Sequence, residues 1–401
     1  MATFLSLSEE QHINTVRTAA PLYMKQYSDL TKRSHMLFSM MESWGNIEYN
    51  ASDASRIWQV MVRQPTVSTF SNTTNKTFQD HSAFEQCTVG IRGYEGTDIL
   101  KEKEYKLNQG QTQLVNLYEF KMKNLSQSIM ERLQEFVYRD GDASGQNGFQ
   151  GFESCLKPEN TNTGGANADG AADGDRIVLP LDSYGGLSTE LGNLGGTWSA
   201  DLPAGERMNK TQGNVNDWPY GIGSSEYDAL SPTLVAYNST DWGATTWESN
   251  VEECVREAGT ILRSKNGYQS GDIAILLAPN MYPAAENYYS TRFRIAQPYT
   301  GGDQGFPTPQ SLYIDGVALK SEYGVPPGVG YVVCPQHTEM FFLNTMNGGG
   351  EGGAMLDTFG PDWSPEHGAY LFRISCFGNL RLSPRALGKF ATIEHYNAVA
   401  A

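Results

Sequence analysis

The chain has 401 residues, with 29 Lys and Arg against 45 Asp and Glu for a formal charge of -16, and it carries five cysteines and seven tryptophans. That length gives a sizeable core and room for two domains, while the acidic balance excludes a chain-wide phosphate-binding footprint, which needs clustered Lys and Arg. No apolar run reaches the roughly 18 residues of a membrane span, and residues 1–21 lack the basic start and apolar core of a signal peptide, so the chain is expected to be soluble and unexported.

Residues 1–45 predict an arm: a short helix near 8–18, Pro21, then a polar, Met-rich segment with no sustained period. Alternation begins at residues 56–63, RIWQVMVR, where Trp58, Val60 and Val62 alternate with Gln59 and Arg63. It returns at 87–92, CTVGIR, where Cys87, Val89 and Ile91 alternate with Thr88 and Arg92. These two strands form a ribbon whose tip, residues 66–83, is dominated by Ser, Thr and Asn in place of core-forming residues. A two-stranded ribbon alone is marginal in water and exposes its edges, so it needs a surface to lie on, and a neighbouring subunit is the expected one. Trp58, Val60, Val62, Val89 and Ile91 are accordingly the candidate subunit-interface residues.

The clearest helix follows, with Leu114, Tyr118, Met122, Leu125, Ile129, Leu133 and Val137 spaced by three or four over roughly 35 Å of helical rise. It halts at DGDASG, residues 140–145. Asp140, Asp142, Ser144 and Gly145 match the first half of a calcium loop, but the twelfth position, which needs a bidentate Glu, is Gly151, so turn chemistry is the preferred reading. Residues 157–219 lose all period and fill with Gly, Asn and Asp, a long excursion with no core of its own. A second helix is expected at 246–263, a buried strand at 272–277 (DIAILL) and a third helix at 280–293. Strands close the chain: 312–321 with an Asp315-Gly316 turn, 330–333, 339–343, and 369–382 ahead of SPRALGK.

Distinctive chemistry is sparse. The six histidines form no HExxH and no i,i+4 pair; there is no GxSxG, Walker or GxGxxG pattern, and GGGEGGA at 348–354 reads as a loop. No catalytic, cofactor-binding or metal-ligating residue is assigned, and the chain is not expected to be an enzyme. A glycosidase carboxylate pair stays open, because such a pair is defined by separation in space and not in sequence. The cysteines, far apart and odd in number, predict buried thiols. Trp198, Trp218, Trp242 and Trp247 crowd around the Gly-rich region, either as a stacking platform for sugars or as anchors of long loops. The first option defines the alternative function, a secreted carbohydrate-binding protein or glycoside hydrolase.

The order of parts resembles the major capsid proteins of tailed bacteriophages with the Hong Kong 97 fold. The matching segments are residues 106–141, ending in YRDG, SYGGLS at 183–188, GDIAILLAPNMY at 271–282, DGVALKSEYGVPPGVGYVV at 315–333 and SPRALGK at 383–389. The resemblance implies an α+β fold with an N-terminal arm (1–45), an extended β-ribbon loop (46–105), a peripheral domain built on a long spine helix (106–150 and 366–401), and an α/β axial domain with the Gly-rich insertion (151–365). It implies hexamers and pentamers of the chain itself, closing an icosahedral shell around double-stranded DNA that is enclosed without sequence-specific binding. Portal, scaffolding and cement proteins are the further partners, with no membrane, no cofactor, assembly in the host cytoplasm and the virion as destination. With so short a stretch before the ribbon, any scaffold is expected to be a separate protein. Lys76, alone among lysines in the ribbon tip, is a candidate for the covalent crosslinks some relatives form. A non-viral compartment shell of the same fold fits the residues equally.

Overall fold

A computed structural model describes residues 36–51, 54–61, 84–107, 117–143, 147–158, 177–178, 180–190, 230–239, 242–267, 272–292, 312–343 and 356–400. Two sheets organise them. The seven-stranded sheet runs, edge to edge, Leu312–Ile314, Val317–Ser321, Ala274–Leu277, Gly330–Val333, Leu387–Ala391, Thr233–Ala236 and Ile177–Val178. Its central strands, AILL, GYVV, LGKFA and TLVA, are buried at every position, as continuous apolar runs covered on both faces should be. The helix Trp247–Asn266 packs on this sheet through Val251, Cys254, Val255, Ala258 and Leu262, and stops where Gly267 takes a left-handed φ of 69° and donates its N–H to Arg263 O at 2.7 Å.

The second sheet has five strands around one long one. Ala369–Leu382 carries Arg92–Lys101 antiparallel along one edge; along the other, Asp357–Ser364 and Thr338–Leu343 lie in line, pairing with residues 369–375 and 378–382 respectively. Ile47–Ala51 adds parallel to Thr338–Leu343. Across this sheet lies the long helix Leu117–Phe136, burying Ile129 and Leu133 and half-burying Met122 and Leu125. Gly96 admits it: a Cβ there would meet Ile129 Cδ1 at 2.9 Å and Leu125 Cδ1 at 3.0 Å. Leu114, expected to open this helix, lies outside the described residues.

Strand pairing joins segments that lie far apart in the chain. Arg92–Lys101, expected in the extended loop, belongs to the five-stranded sheet, as do Thr338–Leu343 and Asp357–Ser364, expected in the axial part. Leu387–Ala391, expected in the peripheral part, is a central strand of the seven-stranded sheet. The cause is that a 14-residue strand has two long edges to satisfy and recruits partners from distant sequence. Residues 177–190, expected to be loop, supply one edge strand and a two-residue-strand hairpin, Ser183–Tyr184 with Leu187–Ser188. All five cysteines are buried thiols.

Candidate subunit interface

The ribbon forms as the alternation predicts, between Ser55–Met61 and Phe84–Gly90, in register from Ser55 opposite Gly90 to Met61 opposite Phe84. Because opposed residues share a face, Arg56, Trp58 and Val60 stand with Cys87 and Val89, while Ile57, Gln59 and Met61 stand with Phe84, Gln86 and Thr88. The first face turns toward the same chain. Cys87 and Val89 are buried, and Trp58, Val60 and Ile91 are half-buried against the core. The second face is open, with Ile57, Met61 and Phe84 at 54%, 52% and 56% exposure. The structure thus gathers Trp58, Val60 and Val89 on one surface with Ile91 at its end, and that surface is covered within the protomer; Val62 lies outside the described residues. The open apolar face is the other register of the same strands, marked in sequence only by Ile57, Met61 and Phe84.

Charge fixes the root of the ribbon. Arg56 Nη2 donates to Glu48 Oε2 at 2.8 Å and to Glu339 Oε1 at 3.0 Å, and Arg381 Nη1 donates to Glu339 Oε2 at 2.7 Å. The Arg381 guanidinium also lies 5.2 Å from the centre of the Trp58 ring. Each of these side chains is partly wet, so the value of the set lies in holding one geometry more than in raw stability. Burial pushes the Cys87 thiol up to about 12, which keeps it protonated and unreactive.

The other candidates resolve into structural parts. Asp140 Oδ1 accepts from Asp142 N at 2.8 Å and Ser154 Oγ at 3.0 Å, and Asp142 pairs with Arg92 and Gln150, so both carboxylates of the calcium-like turn serve the chain that leaves the long helix. Ser144 and Gly145 lie outside the described residues. No group of three His, Cys, Asp or Glu is arranged to hold a metal among the described residues. Trp247 is buried against Tyr237 and Phe390 and donates Nε1–H to Met281 O at 3.1 Å; Trp242 donates to Ala236 O at 2.8 Å. These two tryptophans anchor local structure, and Trp198 and Trp218 lie outside the described residues. An open hollow of about 470 Å³ beside the sheet is lined by Ile91, Arg92, Tyr94, Glu95, Asn147 and Phe377.

One polar feature has no motif behind it. Lys389, inside SPRALGK, is fully buried and pairs at 2.7 Å with Glu153, a residue of the short turn that follows the long helix. Its only signal in the sequence is a lone cation in the apolar strand LGKFA.

No protein-family model matches the chain, and no curated protein matches it. Solved structures do. The chain is similar to one in the capsid asymmetric unit of cyanophage A-1(L), with a TM-score of 0.55 and 13% identity over 92% of this chain and 96% of that one. It is similar to the capsid of cyanophage P-SCSP1u (TM-score 0.50, 9% identity, 98% and 99% covered) and to the capsid of an empty GTA particle (0.52, 8%, 92% and 100%). Nearly whole-length superposition at so low an identity speaks for the backbone alone, and by that measure the chain has the fold of phage capsid proteins.

Proposed function

We propose that this chain is the major capsid protein of a tailed bacteriophage, assembling with itself into hexamers and pentamers that close an icosahedral shell around double-stranded DNA. The observation that carries this reading is the coverage: nearly the whole of a capsid subunit corresponds to nearly the whole of this chain, 92% and 96% in one case and 98% and 99% in the other. The five-stranded sheet with the long helix serves as the peripheral domain, the seven-stranded sheet with its helices as the axial domain, and the ribbon as the extended loop of a Hong Kong 97-type subunit. The ribbon bridges subunits through a division of labour, with Trp58, Val60, Val89 and Ile91 fixing its course and Ile57, Met61 and Phe84 offering apolar area to a neighbour. Rings need heterologous contacts, in which a patch on one copy meets a different patch on the next, and an exposed apolar strand face suits that role. Scaffolding, portal and cement proteins are its further partners, and it carries no enzymatic activity. Size-exclusion chromatography with negative-stain microscopy of the purified chain tests this: rings of five or six, or closed shells, are expected. A chain that stays monomeric at every concentration, with crowding agent and when co-produced with candidate scaffolding proteins, would overturn it.

A further inference from the structure

The ribbon strands pair with each other and with no other described strand, so contacts with other parts of the chain set the ribbon's direction. One set of these comes from the hairpin at SYGGLS. Gly185 O accepts the Thr88 N–H at 2.9 Å, Tyr184 O accepts from Cys87 Sγ at 3.5 Å, and the Tyr184 and Trp58 rings meet at 6.3 Å. Gly185 has a φ of 60°, and a Cβ on it would collide with Cys87 Sγ, so both the turn and the close approach require glycine. Behind the contact, the hairpin cannot yield. The buried Tyr184 hydroxyl donates to Leu380 O at 2.8 Å and accepts from Leu382 N at 3.0 Å, on the central strand of the five-stranded sheet. At its base Thr189 N donates to Asp182 O at 2.8 Å, and Ser231 Oγ donates to Thr189 O at 2.8 Å.

We propose that the Ser183–Ser188 hairpin is a rigid seat that sets the angle of the ribbon, and that Tyr184 and Gly185 are positioning residues for the ribbon's contact with a second copy of this chain. The seat is a property of the single chain; its consequence for the second copy rests on the capsid reading. The hairpin touches both the long central strand and the ribbon, and with the direct contacts of Asn379 and Arg381 to Gly90 and Trp58 it sets how the ribbon leaves the sheet. A methyl group at Gly185 meets Cys87 Sγ and the Thr88 backbone, and so pushes on the ribbon while changing none of its side chains. An unseated ribbon becomes an isolated two-stranded element, which is marginal in water and opens its amides.

Hydrogen exchange on the unassembled Gly185→Ala chain tests the seat. Peptides covering residues 55–61 and 84–90 are expected to exchange at least ten-fold faster, while those covering 247–266 and 274–277 keep wild-type rates. Unchanged ribbon exchange, or equal acceleration everywhere, overturns the proposal. Where Gly185→Ala yields no soluble chain, Tyr184→Phe keeps the ring and loses both hydroxyl bonds, and the same local pattern at smaller amplitude is expected. The consequence for assembly is read separately, as the fraction of subunits in regular rings or shells. Faster ribbon exchange with wild-type assembly overturns the role toward the second copy, and normal exchange with failed assembly overturns the seat.

Discussion

Replacing Lys389 with Met leaves a charge alone inside the molecule. Lys389 Nζ lies 2.7 Å from Glu153 Oε2, with side-chain exposures of 0% and 14%, and Tyr331 Oη donates to the other carboxylate oxygen. The Tyr396 ring lies 5.6 Å from Nζ, on a lysine that is itself fully buried. Two charges taken out of water offset their desolvation only through each other, and removing one partner costs about 3–5 kcal/mol. Met fills nearly the volume of the lysine stem, so packing adds little to that figure. The triple variant Lys389→Met, Glu153→Leu, Tyr331→Phe removes every polar member together and is expected to be neutral or about 1–4 kcal/mol more stable than wild type. Urea unfolding compared at constant m reads both variants as shifts of midpoint. A single variant that unfolds at the wild-type midpoint, or a triple variant as unstable as the single one, would refute the reasoning.

Burial raises the Asp182 carboxyl from 3.8 to about 6. Between those values the unfolded chain releases its proton while the folded chain keeps it, so stability falls as pH rises from about 4 to 6, by up to about 3 kcal/mol before solvent screening reduces it. Asp182→Asn is expected to flatten that part of a stability-against-pH profile, and an unchanged slope tells against the buried carboxyl. On the ribbon, Ile57→Lys with Phe84→Ser is expected to leave thermal stability within about 0.5 kcal/mol, since both side chains are exposed, while abolishing ring formation on size exclusion. Intact rings from that variant remove the outward face from the interface. Under the long helix, Gly96→Ala forces a methyl against Ile129 and Leu125 and is expected to cost about 1–3 kcal/mol in a thermal melt, with wild-type stability showing that the helix stands further off.

Elements whose signal is local were legible in the sequence. The spacing of Met122, Leu125, Ile129 and Leu133 marked the long helix, and the apolar runs at 274–277 and 330–333 marked buried strands, because periodicity and run length are read within one element. The ribbon was legible as a pair of strands, but not the direction in which each face points. Trp58 and Val89 form the more apolar register, and whether such a face meets a neighbour or its own chain depends on where residues 184 and 381 arrive, which no local pattern encodes. Arg92–Lys101 escaped for a related reason. Its sequence, RGYEGTDILK, has two glycines and four acidic or hydroxyl residues, and it is a strand because Ala369–Leu382 pairs with it along ten residues. A lone lysine is usually solvated, so nothing local marks Lys389 as buried, and only the approach of Glu153 makes it a core residue.

Residues 369–391 are where these separate facts converge. Within them, Leu380 and Leu382 hold Tyr184, Arg381 covers Trp58, and Asn379 Nδ2 donates to Gly90 O at 2.7 Å, so one strand fixes the hairpin, the ribbon and the ribbon's root. The same strand is the axis of the five-stranded sheet. A single turn later, after Pro384–Ala386, the chain enters the seven-stranded sheet as Leu387–Ala391 and delivers Lys389 to Glu153. Every partner in this set except the turn itself lies more than 150 residues earlier or pairs with something that does. Contacts of such long range carry a high loop-closure entropy and form late, after local helices and hairpins are in place. The ribbon strands lie early in the chain, and the contacts that Asn379 and Arg381 make to Gly90 and Trp58 await its last part. In a chain built this way the direction of the outward ribbon face depends on residues from both ends of the sequence, so it is a property of the finished fold.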